Sequence, residues 1–152
     1  MVVCYDPENL KVLSLDLGTK TATAIYEHEK TQKQNNVSCF SPDSKILAIA
    51  YSSSVYFYDA ENNFTETLKP ISSDMNLPRV VSWNPESPYL IGLGDISGTI
   101  KVANPYSESP RTSVVINHSH GKETLTNMKW VAPNVLVSST KVAVKFWKFK
   151  FE

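Results

Sequence analysis

Long apolar runs are absent from this 152-residue sequence. No stretch approaches the roughly 18 residues that a membrane helix needs. The opening MVVCYDPENL has no basic region, and its apolar stretch is too short for a secretory signal. Cysteine is scarce. Cys4 and Cys39 alone make no disulfide framework, and a reducing, cytoplasmic address fits them best. Without a signal, the N-x-S/T sequons at Asn36, Asn63 and Asn117 carry no weight in a chain rich in Ser, Thr and Asn. An excess of one charge is also missing. Lys plus Arg number 15, Asp plus Glu 15, and the formal net charge is +0. That argues against a broad electrostatic footprint for nucleic acid or anionic membrane, since both rely on clustered Lys and Arg. Helical periodicity of any length is absent too.

What remains is 41% hydrophobic and 11% aromatic, ample for the core of one domain, and it repeats. VVCYDPENLKVLSLD from Val2, VSCFSPDSKILAIAY from Val37, VVSWNPESPYLIGLG from Val80 and NMKWVAPNVLVSS from Asn127 share one plan. An apolar strand reaches an aromatic residue (Tyr5, Phe40, Trp83, Trp130), a turn carries a proline (Pro7, Pro42, Pro85, Pro133), and a second apolar strand follows. The prolines lie 35, 43 and 48 residues apart, around the 40–45 residues of a propeller blade. Proline presets one turn dihedral, and Asp, Glu, Asn and Ser bond to the turn backbone.

A third strand, rich in strand-forming residues, is expected in each unit: TATAIYE from Thr21, SVYFYDA from Ser54, TIKVANP from Thr99 and VAVKFWK from Val142. A fourth is expected at FTETLK from Phe64 and TSVVIN from Thr112, and more weakly at EKTQKQ from Glu29. Four short strands per unit, repeated, point to an all-β propeller of four-stranded antiparallel blades. A β-sandwich needs no repeated hairpin sequence. The blades are expected at about residues 1–35, 36–78, 79–122 and 123–152.

FSPDSKILAIA (Phe40 to Ala50) followed by SVYFYDA resembles the WD-repeat pattern, in which an aromatic-Ser-Pro-Asp-Gly turn precedes the second strand and Trp-Asp ends the third. The resemblance covers essentially the whole chain. The Trp-Asp position, however, reads Tyr26-Glu27, Tyr58-Asp59, Ala103-Asn104 and Trp147-Lys148. The buried Asp–His–Ser–Trp network of a strong WD blade is read as mostly missing. Only GDISGTIKV, Gly94 to Val102, keeps the Asp-x-x-Gly-Thr hairpin cleanly. The last unit, ending KVAVKFWKFKFE, reads as three strands with an open apolar edge, which invites pairing. A larger propeller, completed by the rest of the chain or by another chain, is therefore expected.

Several motifs have competing readings. GLGDISG (Gly92 to Gly98) lacks the dinucleotide spacing and a following helix; a tight hairpin accounts for it. His118 and His120 form H-x-H without further ligands nearby, so no metal is assigned. One of the two is expected to bond a neighbouring hairpin from its place before an innermost strand. Cys4 and Cys39 read as small buried hydrophobes, and Asp59 and Asp95 as turn residues. No nucleophile–base pair is suggested, so neither enzyme activity nor a cofactor is expected. Lys141, Lys145, Lys148 and Lys150 alternate with Phe146, Trp147, Phe149 and Phe151. A nucleic-acid stacking platform reads this way, but so does a strand with one solvated face, which the zero net charge favours. The phase slips at Phe146-Trp147, hinting at a bulge.

Function is expected in the loops: Leu68 to Arg79, Asn117 to Thr124, Tyr51 to Ser54 and Asp95 to Gly98. Arg79, Asp95, His118, His120 and Lys122 are the candidate partner-binding residues. SVVINHSHGKETLTNMKWVAPNVLVSSTKVAVKFWKF, Ser113 to Phe149, resembles the final blade of the actin-interacting protein 1 family. The likeness lies in a His before the strand, a short aliphatic-x-Trp hairpin, a Leu-Val-Ser strand and a terminal Val-Lys-x-Trp strand. It implies two seven-bladed propellers, of which this chain would be the last four blades of the second. It also implies actin and cofilin as partners in filament disassembly, and a cytoplasmic, cytoskeletal place. The alternative is a WD-repeat scaffold subunit of another complex, whether trafficking, ciliary, ubiquitin-ligase or RNA-processing.

Overall fold

The computed structural model describes residues 2–5, 9–29, 37–51, 53–72, 75, 77–86, 90–107, 112–117 and 119–150, with backbone alone at 2–5, 9–10, 28–29 and 112–113. All regular structure in them is β-strand. The chain divides into two compact units, Met1–Gln34 and Asn35–Glu152.

In the first unit, β1 (Val2–Tyr5), β2 (Asn9–Asp16) and β3 (Thr21–Glu29) form one antiparallel sheet in that order. Asp16 closes the β2–β3 hairpin: its Oδ1 accepts the amides of Gly18 (2.8 Å) and Thr19 (3.2 Å). Those bonds, Thr19's first, hold its carboxyl below the usual carboxylate range. Strand β3 takes in Glu29, and the rest of EKTQKQ, the weak fourth segment, lies outside the described residues.

The second unit holds three sheets. The first runs β4 (Val37–Phe40), β5 (Ile46–Tyr51), β6 (Ser54–Asp59) and β7 (Thr65–Glu66), with β8 (Ile71–Ser72) also paired to β6. Of the expected outer strand FTETLK only Thr65–Glu66 is strand, and β8 lies just beyond it. Pro70 has no N–H to give a ladder, yet Ile71 pairs with Val55 and is fully buried. Leu68 to Arg79, expected as a loop, therefore contains β8 and the start of the next strand. The second sheet is a four-stranded meander of β9 (Pro78–Trp83), β10 (Ile91–Asp95), β11 (Ile100–Ala103) and β12 (Thr112–Ile116). The third comprises β13 (Asn127–Ala132), β14 (Val135–Ser139) and β15 (Val144–Lys148).

Two expectations for the last strand need correction. It starts at Val144, not Val142, because Thr140 Oγ1 takes the Val142 and Ala143 amides (3.3 and 3.2 Å) into a turn. No bulge falls at Phe146-Trp147: the β14–β15 register runs unbroken from Ser139↔Val144 to Val135↔Lys148. Phe146 faces outward and Trp147 inward, in normal alternation. The irregularity lies in β13, between Trp130 and Ala132.

Packing explains the alternation along β10, IGLGD. Ile91 and Leu93 point to one side and join Phe57, Val55 and Trp83 in a core between the first and second sheets of this unit. Gly92 and Gly94 occupy the other side. A methyl group at Gly94 would meet Leu125 Cδ1 and Val80 Cγ2 at 2.6 Å, and one at Gly92 would meet Met128 Cε at 3.2 Å. Those absent side chains make room for Leu125, Met128, Trp130 and Leu136, the core between the second and third sheets. GLGDISG is thus a strand and hairpin shaped by packing. The innermost strands are tied in series: Trp83 Nε1 donates to the Cys39 carbonyl of β4 (3.2 Å), and the Trp130 amide to Ser82 Oγ of β9 (3.2 Å). Cys39 is a free thiol, which burial pushes up to about 12.

Candidate functional site

The β10–β11 hairpin carries the site. Asp95 is 2% exposed. Its Oδ1 accepts the Ser97 amide (2.9 Å), the Thr99 amide (2.8 Å) and the Ser97 hydroxyl (2.8 Å). An Asx turn of this kind satisfies amides that would otherwise be orphaned. Gly98 sits at φ +77, where a Cβ would also lie 2.9 Å from the Glu123 carbonyl oxygen. That close approach lets the segment between β12 and β13 clamp onto the hairpin. Ser119 donates to the Gly98 carbonyl with both its amide and its hydroxyl (2.7 Å each). Thr124 Oγ1 donates to Ile96 O (3.0 Å), and the Leu125 amide to Asp95 O (3.4 Å).

The clamp delivers His120, 7% exposed, into the last sheet. Its Nε2 lies 2.8 Å from Ser138 Oγ, and Trp147 Nε1 donates to the same oxygen at 2.8 Å. An indole N–H only donates, so Ser138 can give its own proton to Nε2, placing the ring hydrogen on Nδ1. Nδ1 is buried and has no partner among the described residues. Burial, then the Lys145 charge, lowers the His120 pKa, against Glu123 and the Ser138 bond. Lys145 Nζ in turn donates to Ser119 O (2.5 Å).

Three members of the Asp–His–Ser–Trp network read as mostly missing are therefore present in the last sheet. Thr140 caps its hairpin where Asp95 caps the preceding one. Ser119 bonds the neighbouring hairpin at the Gly98 carbonyl, and His120 bonds Ser138 of the last sheet; the expectation that one of His118 and His120 bonds a neighbouring hairpin is not met by His120. His118 lies outside the described residues. Ser138 and Thr140 were not singled out in the sequence, and Lys145 was read only as part of the strand's lysine–aromatic alternation, because its bond to Ser119 crosses to another segment.

The clamp also shapes a cleft of about 740 Å³. Arg79 at the start of β9, Lys122 in the clamp and Lys141 in the β14–β15 hairpin line it, together with Glu123, Leu125 and Val142. Of the candidate residues, Arg79 and Lys122 thus meet at one surface, whereas Asp95 and His120 are buried beneath it. Among the described residues, no group of three or more His, Cys, Asp or Glu gathers as a metal site, and no helix is long and apolar enough to cross a membrane.

Known structures share this architecture. The chain is similar to a chain in the crystal structure of a mitotic checkpoint complex, with a TM-score of 0.69 and 16% sequence identity. The fold is that of WD-repeat propeller blades. The match covers 93% of this chain and 42% of that one, so this chain spans less than half of its neighbour's length. No family model and no curated protein sequence matches. The cationic cleft lies where the segment between β12 and β13, the β14–β15 hairpin and the start of β9 meet.

Proposed function

We propose that the chain is a non-enzymatic protein-interaction platform that docks partners on the loop face holding Arg79, Lys122 and Lys141. The observation that carries this reading is the clamp of Ser119, Thr124 and Leu125 on the Asp95–Gly98 hairpin. It holds exposed charged side chains on rigid backbone, as an interaction surface requires. Propeller folds of this type serve typically as scaffolds.

In its finer form the role is like that of the actin-interacting protein 1 family: promoting cofilin-assisted disassembly of actin filaments, in the cytoplasm and on the cytoskeleton. The support is the resemblance of Ser113 to Phe149 to that family's final blade. In this reading the chain is part of a larger propeller, with blades at about 1–35, 36–78, 79–122 and 123–152. The rest of the polypeptide, or another chain, supplies the complementing strands. Co-sedimentation of the full chain with cofilin-decorated filaments at low salt tests it. Pelleting with decorated filaments is the expected result, and a chain that stays in the supernatant overturns the actin role. A second reading is a scaffold subunit of another complex, supported by a structural neighbour that comes from a checkpoint complex. It predicts a stable partner other than actin or cofilin on pull-down. An RNA-processing role would instead show binding that falls steeply with salt.

A further inference from the structure

We infer that the cleft between Arg79, Lys122 and Lys141 binds an acidic peptide segment of a protein partner. This rests on the platform reading and names the chemistry of what docks. The chain as a whole is neutral, yet three cations and one carboxylate, Glu123, converge on this cleft. All three cationic side chains are exposed, and among the described residues no carboxylate pairs with them. Elsewhere, Lys11 pairs with Glu27 and Lys45 with Glu61, at 3.2 Å each. Among the described residues, the cleft cations therefore keep their charge available.

Their backbones are fixed in advance. Lys122 follows Gly121 in the clamp, Lys141 follows Thr140 in a capped turn, and Arg79 is in β9. Fixed charges lose little freedom on binding. Arg79 offers a planar fork that matches a carboxylate, and the two lysines act as point charges beside it. Leu125 is buried at the cleft, and Val142 is 77% exposed beside it. A ligand with an apolar residue next to its carboxylates meets Val142.

Nucleic acid fits less well. The lining residues include no aromatic ring on which a base would stack. A free nucleotide would find neither a glycine-rich phosphate loop nor a helix N-terminus.

The test uses the full chain and four fluorescent probes: a ten-residue Glu/Leu peptide, its Gln/Leu and Lys/Leu counterparts, and a single-stranded oligonucleotide of matching charge. The Glu/Leu peptide is expected to bind with an affinity that falls as salt rises, and the Gln/Leu peptide to bind far more weakly. Arg79→Glu, Lys122→Glu and Lys141→Glu should each weaken binding about threefold to tenfold. A Lys/Leu peptide should regain binding to the Arg79→Glu/Lys141→Glu variant. All three sites are exposed, and an unchanged thermal midpoint shows that the variants fold. Equal binding of the Gln/Leu peptide, tighter binding of the oligonucleotide, or indifference to all three reversals overturns the inference. Pull-down with the double reversal separates this from the platform reading. A partner that still binds the variant leaves the platform standing without the acidic-peptide cleft. A wild-type chain that captures no partner removes the platform, whatever the peptides do.

Discussion

Gly98 does two jobs that no larger residue can do together. Its φ of +77 costs an L-residue about 1–2 kcal/mol, and a Cβ there would press on the Glu123 carbonyl oxygen at 2.9 Å. Gly121 shares the backbone demand, at φ +74, but has open space around it. Gly98→Ala is therefore expected to cost about 2–3 kcal/mol in urea unfolding, and Gly121→Ala about 1 kcal/mol. Equal losses would mean that the clamp does not depend on close approach. His120 makes a second residue-scale prediction. Its folded pKa lies below the unfolded value of about 6.5. As pH falls through that value the unfolded chain takes up a proton that the buried ring resists, so stability drops on the acid side and is flat above it. Urea midpoints from about pH 5 to pH 8 should show this slope, and His120→Gln should reduce it. A histidine ahead of the innermost strand was legible in the sequence. Which atom it bonds was not, because Ser138 approaches from a strand that follows later in the chain.

At the scale of the element, the last blade has kept His120, Ser138 and Trp147 and put Thr140 in the hairpin position. The cost is visible at Nδ1, a buried ring nitrogen with no partner among the described residues. Thr140→Asp should accept the Val142 and Ala143 amides much as Asp95 accepts those of Ser97 and Thr99. The variant is expected to gain about 1 kcal/mol in urea unfolding. A lower thermal midpoint would mean that the carboxylate is buried unpaired. Strands were the most legible feature of the chain, because apolar alternation and proline turns recur in every unit. Misreadings fell where one residue overrides a pattern. Pro70 separates β7 from β8, and the Thr140 turn delays β15 by two residues. The Phe146-Trp147 pair looked like a slip only because both faces of β15 carry aromatics.

For the molecule as a whole, the repeat shows that sheets stack, while the fit between them lies in pairs such as Gly94 with Leu125. Neither residue is informative alone, which is why the candidate cleft was only half legible: Arg79 and Lys122 stood out in loops, and Lys141 read as part of a strand-edge alternation. The same stacking logic applies to the outer face of the last sheet. Trp130, Leu136 and Phe149 turn inward to the shared core, and Val131, Val144 and Phe146 turn outward, 57%, 62% and 71% exposed. Phe146 pairs across β15 with Val137, and Val137 across β14 with Lys129, so the apolar side chains form part of one surface rather than scattered points. An exposed apolar surface of this kind drives association. The described chain is therefore expected to self-associate with rising concentration, seen as a climbing weight-average sedimentation coefficient. Phe146→Lys adds a third positive charge to Lys129 and Lys148 on that face, and like charges there repel a second copy. The variant should sediment as a monomer at concentrations where the parent does not, with its thermal midpoint little changed because Phe146 lies outside the core. A parent chain already monomeric throughout the range would show that this face does not drive association, and the exposed aromatic would then need another account.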